Sequence, residues 1–211
     1  MKTPEKIWKT IWPVLDKHYK RTATFLDYKN PWQLLVAVIL SAQTTDDMVN
    51  RVTPDLFKKF PTPKKLATAP IAEITRLIKR IGYYNSKAGY IKRTSAMIAG
   101  QFKNKIPEDV KLLQTLPGVG RKTAVAVLSN AFNKNIGIPV DTHVIRFVKR
   151  FHLSHVHNPS KIEQELLEII PEKNWRRAGY AIKEYGRKEG RARGWKPNVD
   201  PVWKAYQNLF S

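Results

Sequence analysis

The sequence predicts an all-α fold, because apolar residues recur at helical spacing along its length and helix-start and helix-stop residues punctuate those runs. Alternating apolar and polar runs joined by hairpin turns, the mark of a sheet, are missing. Thr3 and Pro4 suit an N-cap and a first helical position, ahead of an apolar face of Ile7, Trp8, Ile11, Trp12 and Leu15 that Pro13 is expected to kink. From Trp32 to Leu40 apolar residues cover every side, as a helix surrounded by neighbours requires. Thr62 and Pro63 start a short helix. Ile71, Ile74, Ile78 and Ile81 then form a buried stripe, which Gly82 can end in a left-handed conformation. Ile91, Ile98 and Phe102 continue the pattern.

After Pro107 a short helix presents Leu112, Leu113 and Leu116, and Pro117-Gly118-Val119-Gly120 breaks it. The next helix begins near Arg121, with an inward face of Ala124, Val127, Leu128 and Ala131 small enough for close approach. Asp141 is placed to cap a helix carrying Val144, Ile145, Val148 and Phe151. Ser160 and Glu163 read as a capping box, and Asn174 as the cap of the helix after it. Residues 186–200 hold basic side chains among Gly and Pro and read as an irregular basic loop, after which Asp200 and Pro201 open a last helix.

With 211 residues the chain can bury a sizeable core in one or two domains. Its 38 Lys and Arg against 17 Asp and Glu leave a formal charge of +21 and call for a polyanionic partner. Nucleic acid leads, since cations that neutralise phosphates release condensed counterions. A membrane is a poor alternative, because the longest apolar stretch, Leu34 to Leu40, is far short of the roughly 20 residues of a spanning helix. The absence of cysteine excludes disulfides, thiolate catalysis, iron–sulfur clusters and cysteine-ligated zinc together. Charges throughout residues 1–21 give no support for export, so an intracellular protein, cytoplasmic or at the nucleoid, is expected.

The sharpest chemical signal is LPGVGRKTA at 116–124, followed by VDTH at 140–143. Two glycines in a three-residue turn let the backbone approach a ligand closely. The amides of Gly118, Val119 and Gly120, with those of Arg121 and Thr123 at the helix start, can point at one phosphate and grip DNA without reading its sequence. Taken alone, such a turn is equally a connector between two helices. Lys122 lies in the first helical turn, where the positive end of the dipole and neighbouring Arg121 favour a neutral, nucleophilic amine. An isolated lysine in so basic a chain is ordinarily a solvated cation, and Asp141 is ordinarily a cap. The cap role and a charge-stabilising role are compatible, because a carboxylate held by backbone amides stays ionised and fixed in direction.

These segments, with LSAQTTD at 40–46 and IGYYNSKA at 81–88, resemble in order and kind the helix-hairpin-helix and Asp signature of the endonuclease III family of DNA glycosylases. The resemblance covers about Pro31 to Gly190. It implies two helical lobes with an active-site cleft between them: a six-helix domain over 26–136 that ends in the hairpin, and a second domain made of 1–25 and 137–211. It makes Lys122 the nucleophile on C1′ of a damaged nucleotide and Asp141 its carboxylate partner, hence a bifunctional glycosylase and AP lyase. Its partner would be double-stranded DNA with damaged bases, chiefly pyrimidines, or abasic sites, bound by a monomer. Gln43 matches the residue that fills the gap left by a flipped nucleotide. Tyr83 takes a second wedge position where an aliphatic side chain is usual.

One departure is plain: the family's cluster-binding cysteines would follow the segment matching Tyr185-Gly186-Arg187, and here none exist. Arg187, Lys188, Arg191, Arg193 and Lys196 remain as DNA backbone contacts, and Trp195, Trp203 and Tyr206 as packing in place of the cluster. The hairpin backbone is a candidate site for an alkali-metal ion. No other metal is expected, because His152, His155 and His157 are irregularly spaced and lack a neighbouring Cys or carboxylate. His143 is expected to orient local structure. Two other readings stay open: a non-catalytic DNA-binding module, and a monofunctional glycosylase for mispaired, uracil or alkylated bases.

Overall fold

A computed structural model describes residues 2–189 and 194–210, and helices are its only regular elements there. The chain divides into two compact units, Thr24–Asn133 and a second unit made of Met1–Ala23 with Lys134–Ser211.

The Thr24–Asn133 unit holds α2 (Pro31–Ser41), α3 (Asp46–Lys59), α4 (Pro63–Thr68), α5 (Ile71–Leu77), α6 (Tyr84–Gly100), α7 (Val110–Gln114) and α8 (Arg121–Ala131). These are seven helices where six were expected. The periodicity reading contains no helix over 46–59, since Pro54 interrupts it and only Val49, Val52, Thr53 and Leu56 turn inward. It forms because Thr45 caps it, accepting from Met48 N at 3.3 Å, and Asp46 and Asp47 complement the dipole. Helix α2 is the centre, with Leu34, Leu35, Val36, Ala37, Ile39 and Leu40 all buried. Asn30 caps it, and Trp32 Nε1 donates to Ser95 Oγ on α6 at 3.1 Å. The small face of α8 lies against α2, and α6 contacts α2, α4 and α5.

The expected left-handed stop at Gly82 is one residue out. Helix α5 ends at Leu77, and Tyr83 takes the left-handed conformation instead, at φ 58°.

In the other unit, α1 (Pro4–His18) carries Ile7, Trp8, Ile11 and Leu15 into a core shared with α9 (Thr142–Arg150), α10 (Pro159–Ile169), α11 (Trp175–Lys188) and α12 (Pro201–Gln207). Helix α1 is assigned unbroken through Pro13. The Ser160–Glu163 capping box is replaced by a cap at Asn158, whose Oδ1 accepts from Ser160 and Lys161 N, because Pro159 fits the first helical position. Asn174 makes no side-chain cap, since a 3₁₀ turn over Glu172–Asn174 leads directly into α11. Nor is 186–200 a loop throughout. Helix α11 continues to Lys188, because Ala178, Ala181, Ile182 and Tyr185 give it a buried stripe that extends to Gly186.

Asp200 anchors the C-terminal segment. It is fully buried: its Oδ1 caps α12 through Val202 and Trp203 N, and its Oδ2 accepts from Tyr185 Oη and Trp195 Nε1. Trp195 packs edge-on against Trp203, Arg150 lies over the Trp195 ring at 4.0 Å, and Tyr206 meets Phe151.

Candidate active site

The hairpin is built by a helix stop and an uncapped restart. Helix α7 closes at Thr115, Leu116 and Val119 are buried, and Val119 N donates to Leu116 O at 3.1 Å. Gly118 has φ 79°, and a Cβ there would come within 3.1 Å of the Tyr90 ring, so glycine is required twice over. Thr94 Oγ1 donates to Pro117 O at 2.9 Å from the same helix, α6. Tyr90 and Thr94 are thus the floor of the hairpin. No periodicity argument marks them, because their role depends on which turn of another segment comes to rest there.

Gly120 precedes α8 in an extended conformation, and no side chain caps that helix. Glycine at the cap position brings no side-chain acceptor of its own to the first-turn amides, an arrangement suited to an anion at the helix start. Val119 fits the expected phosphate grip least, since its amide is used inside the turn and its side chain is buried. Gly118, Gly120 and Arg121 are exposed, Lys122 is exposed in the first turn, and Thr123 is half-buried.

Two further loops of this unit carry Gln43 and Tyr83. Both are exposed, Tyr83 by 69%, and both are left-handed, Gln43 at φ 53° and Tyr83 at φ 58°. Such a conformation costs a non-glycine residue about 1–2 kcal/mol, and residues held this way cluster at binding sites.

In the other unit Asp141 caps α9. Its Oδ1 alone accepts from His143 N at 2.8 Å and Val144 N at 3.1 Å, so the carboxylate is fixed in direction while Oδ2 stays outside the cap. His143 follows it with Nδ1 3.1 Å from Arg146 Nη2. Burial lowers the His143 pKa, with Arg146 and Lys183 adding to that effect and Asp141 opposing it. A Cβ on Gly186 would fall 2.5 Å from His143 Nδ1, so α11 can pass α9 here only with glycine. Gly186, like Tyr90 and Thr94, is a residue whose role sequence reasoning missed.

A family model described as HhH-GPD superfamily base excision DNA repair protein matches residues 36–172. Endonuclease III of Synechocystis sp. is 42% identical over 174 residues, 82% of this chain and 80% of the relative. The chain belongs to the endonuclease III family. Endonuclease III of Escherichia coli is 40% identical over 148 residues, 70% of each chain. Among solved structures, a trapped endonuclease III–DNA covalent intermediate matches at TM-score 0.91 and 33% identity over the whole of both chains. A thermostable thymine-DNA glycosylase shares the fold at TM-score 0.81 and 22% identity, over 97% of each chain.

Within this family the chain is a variant that does not fit an iron–sulfur cluster, because it offers no thiolate. Arg187 and Lys188, expected in a loop, are the last residues of α11. Lys188 Nζ pairs with Glu184 at 2.6 Å, one helical turn away, while the lysine side chain stays exposed. Arg191 and Arg193 lie outside the described residues. Among the described residues no helix is long and apolar enough to cross a membrane.

Proposed function

We propose that Lys122 is the nucleophile and Asp141 the charge-stabilising carboxylate of this enzyme. As a member of the endonuclease III family, the chain is a base excision repair DNA glycosylase with associated AP lyase activity. In our reading Lys122 Nζ attacks C1′ of the damaged nucleotide, and the base departs with the electron pair of the glycosidic bond. Asp141 stabilises the positive charge that grows on the sugar as that bond breaks. The amine then loses its proton and the sugar ring opens to a Schiff base, from which loss of a C2′ proton expels the 3′ phosphate.

The observation that carries this reading is the uncapped start of α8, where an exposed lysine stands beside amides suited to hold the DNA backbone. Gly118, Gly120, Arg121 and Thr123 would bind phosphate, and Gln43 and Tyr83 would enter the duplex where the target nucleotide leaves it. An alkali-metal ion on the hairpin carbonyls belongs to the same reading. The substrate we propose is duplex DNA carrying damaged pyrimidines, processed inside the cell.

Borohydride trapping on duplex with an abasic site tests the chemistry. A covalent adduct that disappears in Lys122→Gln is expected. An adduct that survives this substitution would place the nucleophile elsewhere.

A further inference from the structure

Gln43 follows an unusual helix end. Helices α1 and α3 close with a backbone bond from the C-cap, Tyr19 N to Leu15 O and Phe60 N to Leu56 O, whereas Ala42 at the end of α2 makes no such bond. The orphan carbonyls are taken by a side chain from α6. Lys87 is 4% exposed, and its Nζ donates to Leu40 O at 2.8 Å, Ala42 O at 2.5 Å and Thr44 Oγ1 at 3.1 Å. These acceptors bracket Gln43 on both sides. Thr44 Oγ1 also accepts from Gly82 N at 3.2 Å, which fastens the Gln43 turn to the residue before Tyr83.

We propose that Lys87 is a positioning residue for duplex opening, holding the left-handed Gln43 turn and, through Thr44, the Tyr83 loop in the conformation that enters DNA. This rests on the reading of Gln43 as the gap-filling residue. A buried ammonium is a costly way to fill space, since an apolar side chain of similar volume avoids its desolvation, and none of the three acceptors is a carboxylate. Burial pushes the Lys87 pKa down to about 8, which registers that cost. What the charge gains is geometry: three donors converge on one turn and fix a backbone conformation that glutamine would otherwise leave.

The test compares borohydride trapping rates on an abasic site in duplex and in single-stranded DNA, where no base stack has to be opened. Wild type, Lys87→Met, Thr44→Val and Gln43→Ala are measured side by side. Lys87→Met, Thr44→Val and Gln43→Ala are all expected to slow duplex trapping by about tenfold and single-strand trapping by no more than about twofold. Equal losses on both substrates would reduce Lys87 to a support of the fold. Unchanged duplex rates in Lys87→Met and Thr44→Val, with a loss in Gln43→Ala, would overturn the positioning role and leave Gln43 as the filler. An unchanged duplex rate in Gln43→Ala would remove the filler reading itself and the positioning role with it. Should Lys87→Met fail to fold, the nearly isosteric Thr44→Val carries the test alone.

Discussion

The ring of Tyr90 lies 3.1 Å from the point that a side chain on Gly118 would occupy, so α6 is the surface on which the hairpin rests. Gly118→Ala therefore meets both a clash and a positive φ of 79°. It is expected to cost about 1–3 kcal/mol in denaturant unfolding and to weaken duplex binding. Gly120→Ala, at φ −90° with open space around its Cβ, is the control and should leave stability within about 0.5 kcal/mol. Equal effects of the two would remove Tyr90 from the account.

Asp141 combines a cap with a charge, and substitution separates the two. Asn is as good a cap, so Asp141→Asn should keep the melting temperature but lower single-turnover base excision by about a hundredfold. Asp141→Ala should lose the same activity and about 1 kcal/mol of stability besides. An active Asp141→Asn would show that the charge is not used.

Gly186→Ala would push a methyl group onto the His143 ring and its Cβ. A loss of about 1–3 kcal/mol is expected. His143→Ala in the same chain should recover only part of it, because the His143 Cβ itself lies 2.7 Å from the added carbon. A double-mutant cycle reads the coupling, and zero coupling would place the clash elsewhere.

His143 also sets a pH dependence. Burial lowers its folded-state pKa below the ordinary 6.5, so on acidification the unfolded chain binds a proton that the folded chain still refuses. Its contribution to stability is whole above 6.5, falls as the pH drops from there through the folded-state value, and is constant below it. The unfolding free energy of wild type should decline over that window more steeply than that of His143→Gln. Parallel profiles would mean that His143 titrates alike in both states.

The hairpin, Lys122 and the Asp141 cap were legible because each is a local pattern: glycine pairs, a first-turn lysine and a cap residue act within a few positions of themselves. The starts of α1 and α12 are legible for the same reason, with Thr3 and Asp200 just ahead of a proline. Where local signals compete, the choice lay elsewhere. At the start of α10 both Asn158 and Ser160 are acceptable caps, and Pro159 at the first helical position decided between them. Past Tyr185 the basic composition suggests a loop, but the buried stripe of α11 keeps the chain helical to Lys188.

By itself the sequence determined the helical class, the cationic character, the exclusion of thiolate chemistry and the residue types of the hairpin and cap. All of these follow from covalent identity and short-range spacing. Only the tertiary structure decided that Lys87 would satisfy the end of α2, that Tyr90 and Thr94 would floor the hairpin, and that Asp200 would gather Tyr185 and Trp195. Those bonds join residues between 5 and 47 positions apart, and their partners are chosen by the packing of helices against one another, which no local spacing encodes.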